Sequence, residues 1–191
     1  EAVLSEKNLG EAFRQVVANH GAPGSDGMTV EQLPAWFERN RTVLTDKIRK
    51  GTYKPLPVRR KEIPKPNGGV RNLGIPSVFD RVLQQAVAQV LVPIYEPTFS
   101  ESSYGFRPGR SAQDAILQAK TYFEEGYGTV VDLDLEKFFD TLNQDILMNI
   151  LRERIADKSL LRLIKSFLRS GVVMPDGIVR QTREGSPQGG P

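Results

Sequence analysis

Apolar residues recur at helical spacing near the start of the chain. Leu9, Ala12, Phe13, Val16 and Val17 predict a helix over residues 5–19, ended by the loop formers His20-Gly21-Ala22-Pro23-Gly24. His20 reads as a residue at the C-terminal end of that helix. Thr29, with Gln32 three residues on, predicts the cap of a second helix; Trp36, Phe37, Val43, Leu44 and Ile48 supply buried positions for it and for a successor. From Tyr53 to Pro76 the pattern changes to extended segments punctuated by proline. Residues 58–65 and 70–75, joined through Pro66-Asn67-Gly68-Gly69, predict a β-hairpin. Ser77-x-x-Asp80 opens a helix with the core stripe Val82, Leu83, Ala86, Val87, Val90 and Leu91, which Pro93 is expected to end. Ser111-x-x-Asp114 opens another. Ile146, Leu147, Ile150 and Leu151 mark a further helix, and Leu160, Leu161, Ile164, Phe167 and Leu168 the next. Residues 171–182 read as a hairpin turning at Pro175-Asp176-Gly177.

The stretch Val130-Val131-Asp132-Leu133-Asp134-Leu135-Glu136-Lys137-Phe138-Phe139-Asp140 has a different pattern. It is apolar and β-branched, carries acids at alternate positions, and turns abruptly aromatic and charged, which predicts a buried strand delivering a carboxylate to a cleft. On that reading Asp134 is a metal ligand; the alternative is a strand end with solvated acids. Asp132, two residues earlier, shares a strand face with Asp134, and the direction of Asp140 is open.

Composition narrows the chemistry. With 191 residues and 39% hydrophobic content, the chain can form one sizeable core or two small subdomains. No apolar run approaches the ~20 residues needed to span a bilayer, and no signal-peptide pattern opens the chain, so a cytoplasmic location is expected. The sequence holds no cysteine and one histidine, which removes thiolate chemistry and leaves catalysis to carboxylates. The net charge of +3 hides an asymmetry. Residues 47–71 hold nine basic side chains against Glu62 alone, a local +8 that leaves −5 for the remainder. That suits a polyanion gripped by one part and a metal held by another; a solvated charged face is the alternative.

Lys65 and Arg71 flank the hairpin turn, on one face if five residues make the loop and on opposite faces if four do. Such a tip can clamp a triphosphate or a nucleic-acid backbone, or serve only as a charged edge. In Ser103-Tyr104-Gly105-Phe106-Arg107-Pro108-Gly109-Arg110 the aromatics read as loop anchors, while Arg107 and Arg110 could reach phosphates. The glycine-rich tail 185–191 permits close backbone approach, with Gln188 against a base or sugar, or is a linker. A carboxylate, a basic hairpin and a glycine-rich loop are parts of magnesium-dependent phosphoryl transfer. One carboxylate cannot hold two ions, however, and the spacing offers no convincing partner.

Six blocks in order carry a resemblance. They are Gly24-x-Asp26-Gly27-Met28-Thr29, Val58-Arg59-Arg60-x-Glu62-Ile63-Pro64-Lys65, Arg71-x-Leu73-Gly74-Ile75-Pro76, the Ser103 to Arg110 loop, Asp134-x-x-Lys137-Phe138-Phe139-Asp140, and Pro187-Gln188-Gly189-Gly190-Pro191. Together the chain resembles the reverse transcriptase/maturase encoded by bacterial group II introns, closest to the compact class C type. The resemblance implies an α+β right-hand polymerase fold, of which this chain holds the fingers and part of the palm, with the thumb absent. By that layout residues 1–100 are fingers, 101–141 the first palm segment and 142–191 a return to the fingers.

The resemblance also implies RNA-directed DNA synthesis with two Mg2+ ions, an intron RNA template, a DNA primer or target, dNTP substrates, and binding of intron RNA to assist splicing. Asp134 matches the first catalytic aspartate, and the carbonyl of Leu135 a backbone metal ligand. Phe139 matches the aromatic that crowds the sugar 2′ position; Lys65 and Arg71 match the triphosphate-holding residues, and Gln188 the glutamine of the nucleotide pocket. The Gly21–Thr29 region, with Gly24 and Asp26, matches a template-contacting segment, and Arg59, Arg60, Arg107 and Arg110 are the expected nucleic-acid contacts. The family's Tyr-x-Asp-Asp block does not occur in the 191 residues, so the chain is expected to be an excised fragment, inactive alone. A non-catalytic RNA-binding splicing scaffold, or a reverse transcriptase of the retron or diversity-generating type, are the rival readings. Homodimerisation through strand edges left unpaired is a further open expectation.

Overall fold

Ser5 accepts a hydrogen bond from the Asn8 N–H at 3.3 Å and so starts helix α1 (Glu6–Ala18), an N-cap of a kind that contributes about 1 kcal/mol. We describe the chain from a computed structural model covering residues 1–66 and 68–189. Asn67, in the predicted hairpin turn, and Gly190 and Pro191, in the last sequence block, lie outside the described residues. The fold is mixed helix and sheet, in two compact units: Glu1–Val90 with Lys137–Pro191, and Leu91–Glu136. Among the described residues no helix is long and apolar enough to cross a membrane.

In the first unit α1 is followed by α2 (Leu33–Arg49), one continuous helix where a helix and a successor were expected. The Gln32 side chain does accept from the Thr29 N–H at 3.0 Å, but the helix begins only at Leu33, where Pro34 suits the first turn because its missing N–H would be unpaired there anyway. Val43 is exposed, so the apolar residues of α2 are not all core. Strands β1 (Val58–Pro64) and β2 (Val70–Ile75) form the predicted hairpin, and α3 (Val78–Tyr95) follows. Pro93 lies inside α3 rather than ending it.

After Lys137 come the short α5 (Phe138–Thr141), α6 (Gln144–Arg154), α7 (Lys158–Leu168), and the small hairpin of β3 (Val172–Val173) and β4 (Val179–Arg180). The sheet order is β2-β1-β3-β4, with β1 antiparallel to β2 and parallel to β3. The core centres on α3, whose Val78, Phe79, Val82, Leu83 and Ala86 are buried with Ala12 and Val16 of α1 and with Val30, Leu33 and Val58. Phe79 meets the rings of Trp36, Phe37 and Tyr53 at centroid distances of 5.3, 6.1 and 5.9 Å.

Asp80 ties this core together. It is buried, and its carboxylate accepts from the Tyr53 hydroxyl (2.8 Å), the Ser77 hydroxyl (2.8 Å) and the Leu56 N–H (3.1 Å), while the Ser77 oxygen accepts from its N–H. Burial pushes the Asp80 carboxyl above its ordinary range, against the lowering pull of those donors. Burial first, and then the neighbouring Asp80, push the Tyr53 phenol far up, so it stays a donor.

In the second unit Ser111 and Asp114 form a complete capping box on α4 (Ala112–Glu124). None of α4 is buried, and Ile116, Leu117 and Phe123 are exposed. The strand expected from Val130 is absent: residues 128–135 have no regular structure, and Val130 and Leu133 are 90% and 88% exposed. A strand is held by hydrogen bonds to a neighbour, and no described strand pairs with this run.

Candidate functional site

The hairpin register answers the question the loop length left open. Pro64 pairs with Val70 and Ile63 with Arg71, so five residues make the connection. Directly paired residues share a face and alternate residues return to it, so Arg71 lies with Ile63, and Lys65 continues that side. Both side chains are exposed, and neither hydrogen-bonds or ion-pairs with a described residue. Lys61, paired with Leu73, shares their face.

The tail of the chain connects this hairpin to the turn holding Phe139. The Gly74 N–H of β2 donates to the Gln188 carbonyl at 2.7 Å, so Gln188 covers part of the outer edge of β2 by its backbone. A side chain at Gly74 would place Cβ 2.8 Å from Pro187 Cβ and 3.0 Å from Val58 Cγ2; glycine is what lets the tail approach. Two residues before Gln188, the Ser186 N–H donates to the Phe139 carbonyl at 2.7 Å, and the Gly185 N–H donates to the Leu142 carbonyl at 2.8 Å. Phe139 is about half exposed and meets Phe138 edge-on at 5.4 Å. Lys137, just before α5, is in the left-handed region at φ 51°, an uncommon conformation for a residue with a side chain. Lys65, Arg71, Gln188 and Phe139 thus belong to one compact unit, with Gln188 and Phe139 joined to its sheet through residues 185–188.

Asp134 and Leu135 belong to the other unit, in the exposed run that precedes Lys137 in sequence. The expected nucleic-acid contacts divide. Arg107 is only 6% exposed at its side chain; it pairs with Glu96 at 2.7 Å and donates to the carbonyls of Ser100 (2.6 Å) and Ser103 (2.9 Å). Its guanidinium holds the loop with its donors engaged, so a phosphate contact there would have to displace one of these partners. Arg110 pairs with Glu101, which holds that carboxyl below its ordinary range, and lies over the Tyr104 ring at 5.4 Å. Arg59 donates twice to the Pro23 carbonyl, at 2.7 and 3.0 Å, tying β1 to the Gly21–Gly24 loop. Gly24 is there because a Cβ would lie 2.5 Å from Ser77 Cα. Asp26 accepts from the Met28 N–H at 3.2 Å, closing a local turn. Arg60 alone of these arginines has a side chain with no hydrogen bond or ion pair to a described residue. A cleft of about 1040 Å3 between the N-terminal segment and α2, lined by Leu4, Arg14, Phe37 and Arg41 among others, contains none of the expected site residues.

Residues 63–191 match the sequence model of the family described as reverse transcriptase (RNA-dependent DNA polymerase). The chain belongs to the reverse transcriptase family. It is 39% identical over 188 residues to Protein YkfC of Escherichia coli (strain K12), covering 95% of this chain and 49% of that one. It is 34% identical over 180 residues to the group II intron-encoded protein LtrA of Lactococcus lactis subsp. cremoris, covering 94% of this chain and 30% of that one. Among solved structures, a partial Cas6-RT-Cas1–Cas2 complex superposes with a TM-score of 0.61 at 24% identity over 99% of this chain and 31% of that chain, a likeness of fold. The chain therefore spans about half the length of one curated relative and less than a third of the other. The family and fold implied by the six sequence blocks are borne out.

Reverse transcriptases are metal-dependent as a family. The oxygens expected from this chain for a hard cation are the Asp134 carboxylate and the Leu135 carbonyl, and Mg2+ ordinarily completes its octahedral shell with waters, substrate phosphates and a further carboxylate. Among the described residues no group of three or more His, Cys, Asp or Glu side chains is placed to hold an ion.

Sequence reasoning missed two residues that matter here. Tyr53 read only as the start of an extended segment, yet it donates to Asp80. Gln144 carried no motif at all, yet it donates to the carbonyls of Leu168 and Gly185.

Proposed function

We propose that the protein carrying this chain is an RNA-directed DNA polymerase of a mobile group II intron, which also binds its intron RNA to assist splicing. Residues 1–100 and 142–191 act as fingers, and residues 101–141 as the first palm segment. Lys65 and Arg71 take the triphosphate of an incoming dNTP. Phe139 crowds the sugar 2′ position, Gln188 backs the nucleotide pocket, and Asp134 with the Leu135 carbonyl contributes to magnesium binding. Arg60 and Lys61 are the basic side chains of β1 that remain available to template or primer phosphates.

One observation supports this reading above the others: the tail hydrogen-bonds Ser186 to Phe139 and Gln188 to Gly74, three residues from Arg71. Residues distant in sequence and expected on other grounds to line one pocket are thereby held in one unit, with Lys65 and Arg71 on a single hairpin face. The similarity to a group II intron-encoded protein supports the intron RNA partner.

The test is single-nucleotide incorporation by the full-length protein on an RNA template. Phe139→Ala is expected to relax discrimination against ribonucleotides, and Asp134→Asn to abolish extension. Arg71→Ala is expected to raise KM for dNTP by about tenfold, the loss of a charge-assisted phosphate contact. An unchanged deoxy preference in Phe139→Ala, or synthesis retained by Asp134→Asn, would overturn the assignment.

A further inference from the structure

Gln144, the first residue of α6, is 2% exposed and makes two donations with one amide nitrogen. Its Nε2 is 3.0 Å from the Leu168 carbonyl, at the end of α7, and 3.0 Å from the Gly185 carbonyl. Its Oε1 is buried with no partner among the described residues. Turning the amide over would point an acceptor at two acceptors, so the orientation follows from the network. A buried amide oxygen left unpaired is costly, and the two donations are the polar contacts that offset it.

What Nε2 holds is the joint between the 185–188 tail and the Phe139 turn. Gly185, at φ 77°, donates to Leu142; a Cβ there would lie 2.7 Å from the Asp140 carbonyl oxygen and 2.9 Å from that of Phe139. Ser186 donates to Phe139, and two residues on Gln188 accepts from Gly74. The α6–α7 pair, fixed in the core by Met148, Leu161 and Leu168, is the rigid side of this joint, and the Phe139 turn and the 185–188 tail are the side it positions.

We infer that Gln144 is a positioning residue for nucleotide selection, acting through Gly185 to set Phe139 and Gln188 relative to the β1–β2 hairpin. The inference rests on the reading of Phe139 and Gln188 as pocket residues. It needs no contact between Gln144 and any substrate.

The test uses the full-length protein with Gln144→Met, which keeps length and apolar volume and removes the donor. The expected result is a rise of about 5- to 10-fold in KM for dNTP and a several-fold loss of deoxynucleotide-over-ribonucleotide discrimination. The turnover rate should change by less than about twofold and the affinity for primer-template should not change. A role confined to holding the fold together lowers Tm and the active fraction while leaving KM and discrimination as they were, and that result overturns the inference. If Gln144→Met does not fold, Gly185→Ala loads the same joint from its other side with Gln144 intact and is expected to show the same signature; unaltered KM and discrimination there overturn it as well. Phe139→Ala separates the two levels. Relaxed discrimination in Phe139→Ala with none in either joint variant rejects Gln144 alone, and no change in Phe139→Ala rejects the pocket reading beneath it.

Discussion

Replacing Gly74 by alanine perturbs the tail without removing any side chain that could touch substrate. The new Cβ would stand 2.8 Å from Pro187 Cβ and 3.0 Å from Val58 Cγ2, where carbon atoms ordinarily settle at about 3.5–4.0 Å. Val58 is 2% exposed, in the core and in register with Val172, so it has little room to yield. Pro187 must therefore move by roughly 0.7 Å to restore contact distance. That movement stretches the Gly74 to Gln188 hydrogen bond, 2.7 Å in the structure, to beyond about 3.2 Å, where it is weak. Overpacking of this kind costs about 1–3 kcal/mol. The φ of Gly74 is not in the left-handed region, so contact and not backbone strain is the source of the cost. Urea denaturation of the full-length protein should give a stability loss in that range, and single-nucleotide kinetics a KM for dNTP raised several-fold with primer-template affinity intact. A variant with native stability and native KM would refute the reasoning, because the tail would then tolerate a displacement that the geometry forbids.

Two further outcomes follow from individual side chains. Arg107→Ala removes a buried guanidinium and leaves Glu96 unpaired, so the melting temperature should fall by an amount equivalent to about 3 kcal/mol with RNA affinity measured on folded protein unchanged, whereas Arg60→Ala should do the reverse; loss of RNA affinity in folded Arg107→Ala would restore its expected phosphate role. For Asp80, the folded-state carboxyl lies above its ordinary value of 3.8, so folding favours the protonated form; this contribution is fully present below 3.8 and is lost as pH rises through the higher folded value. Stability measured by denaturation against Asp80→Asn as the reference should therefore decline with rising pH over that window, and a difference that grows with pH would contradict the burial-dominated reading.

What was legible in the sequence was local. The Ser111–Asp114 box, the Ser77–Asp80 start of α3 and the two-strand pattern around Pro66 and Gly69 each depend on residues within a few positions of one another, and each formed where expected. The failures were of another kind. Whether Val130–Leu135 becomes a strand depends on a hydrogen-bonding neighbour that periodicity does not contain. Pro93 forbids one N–H and disfavours a helical Val92, yet α3 runs through it to Tyr95, so a short-range preference lost to the continuity of the helix. The burial of Arg107 and its pairing with Glu96 were not legible either, because charge is visible in sequence and burial is not. The candidate pocket stood between these cases. Its residues were named by resemblance, but the joint at Gly185 and the part played by Gln144 are tertiary contacts across 41 residues, with no signature in the chain.

The basic segment 47–71, a single block of charge in the sequence, resolves into two populations. Arg49 pairs with Asp46 and Glu1 across exposed distances of 3.8 and 3.7 Å, contacts of small energetic value, and Arg59 spends its guanidinium on Pro23. Lys61, Lys65 and Arg71 are exposed, share one face of the β1–β2 hairpin and meet no acidic side chain among the described residues. Like charges so arranged repel, and the face is stabilised when an anion neutralises them. Glu62, the one acid of the segment, alternates to the opposite face. Pro187 packs on that opposite face as well, against Gly74 and Val58. The hairpin therefore gathers Lys61, Lys65 and Arg71 on one side and anchors the tail on the other, where Arg60 is the basic side chain beside Glu62.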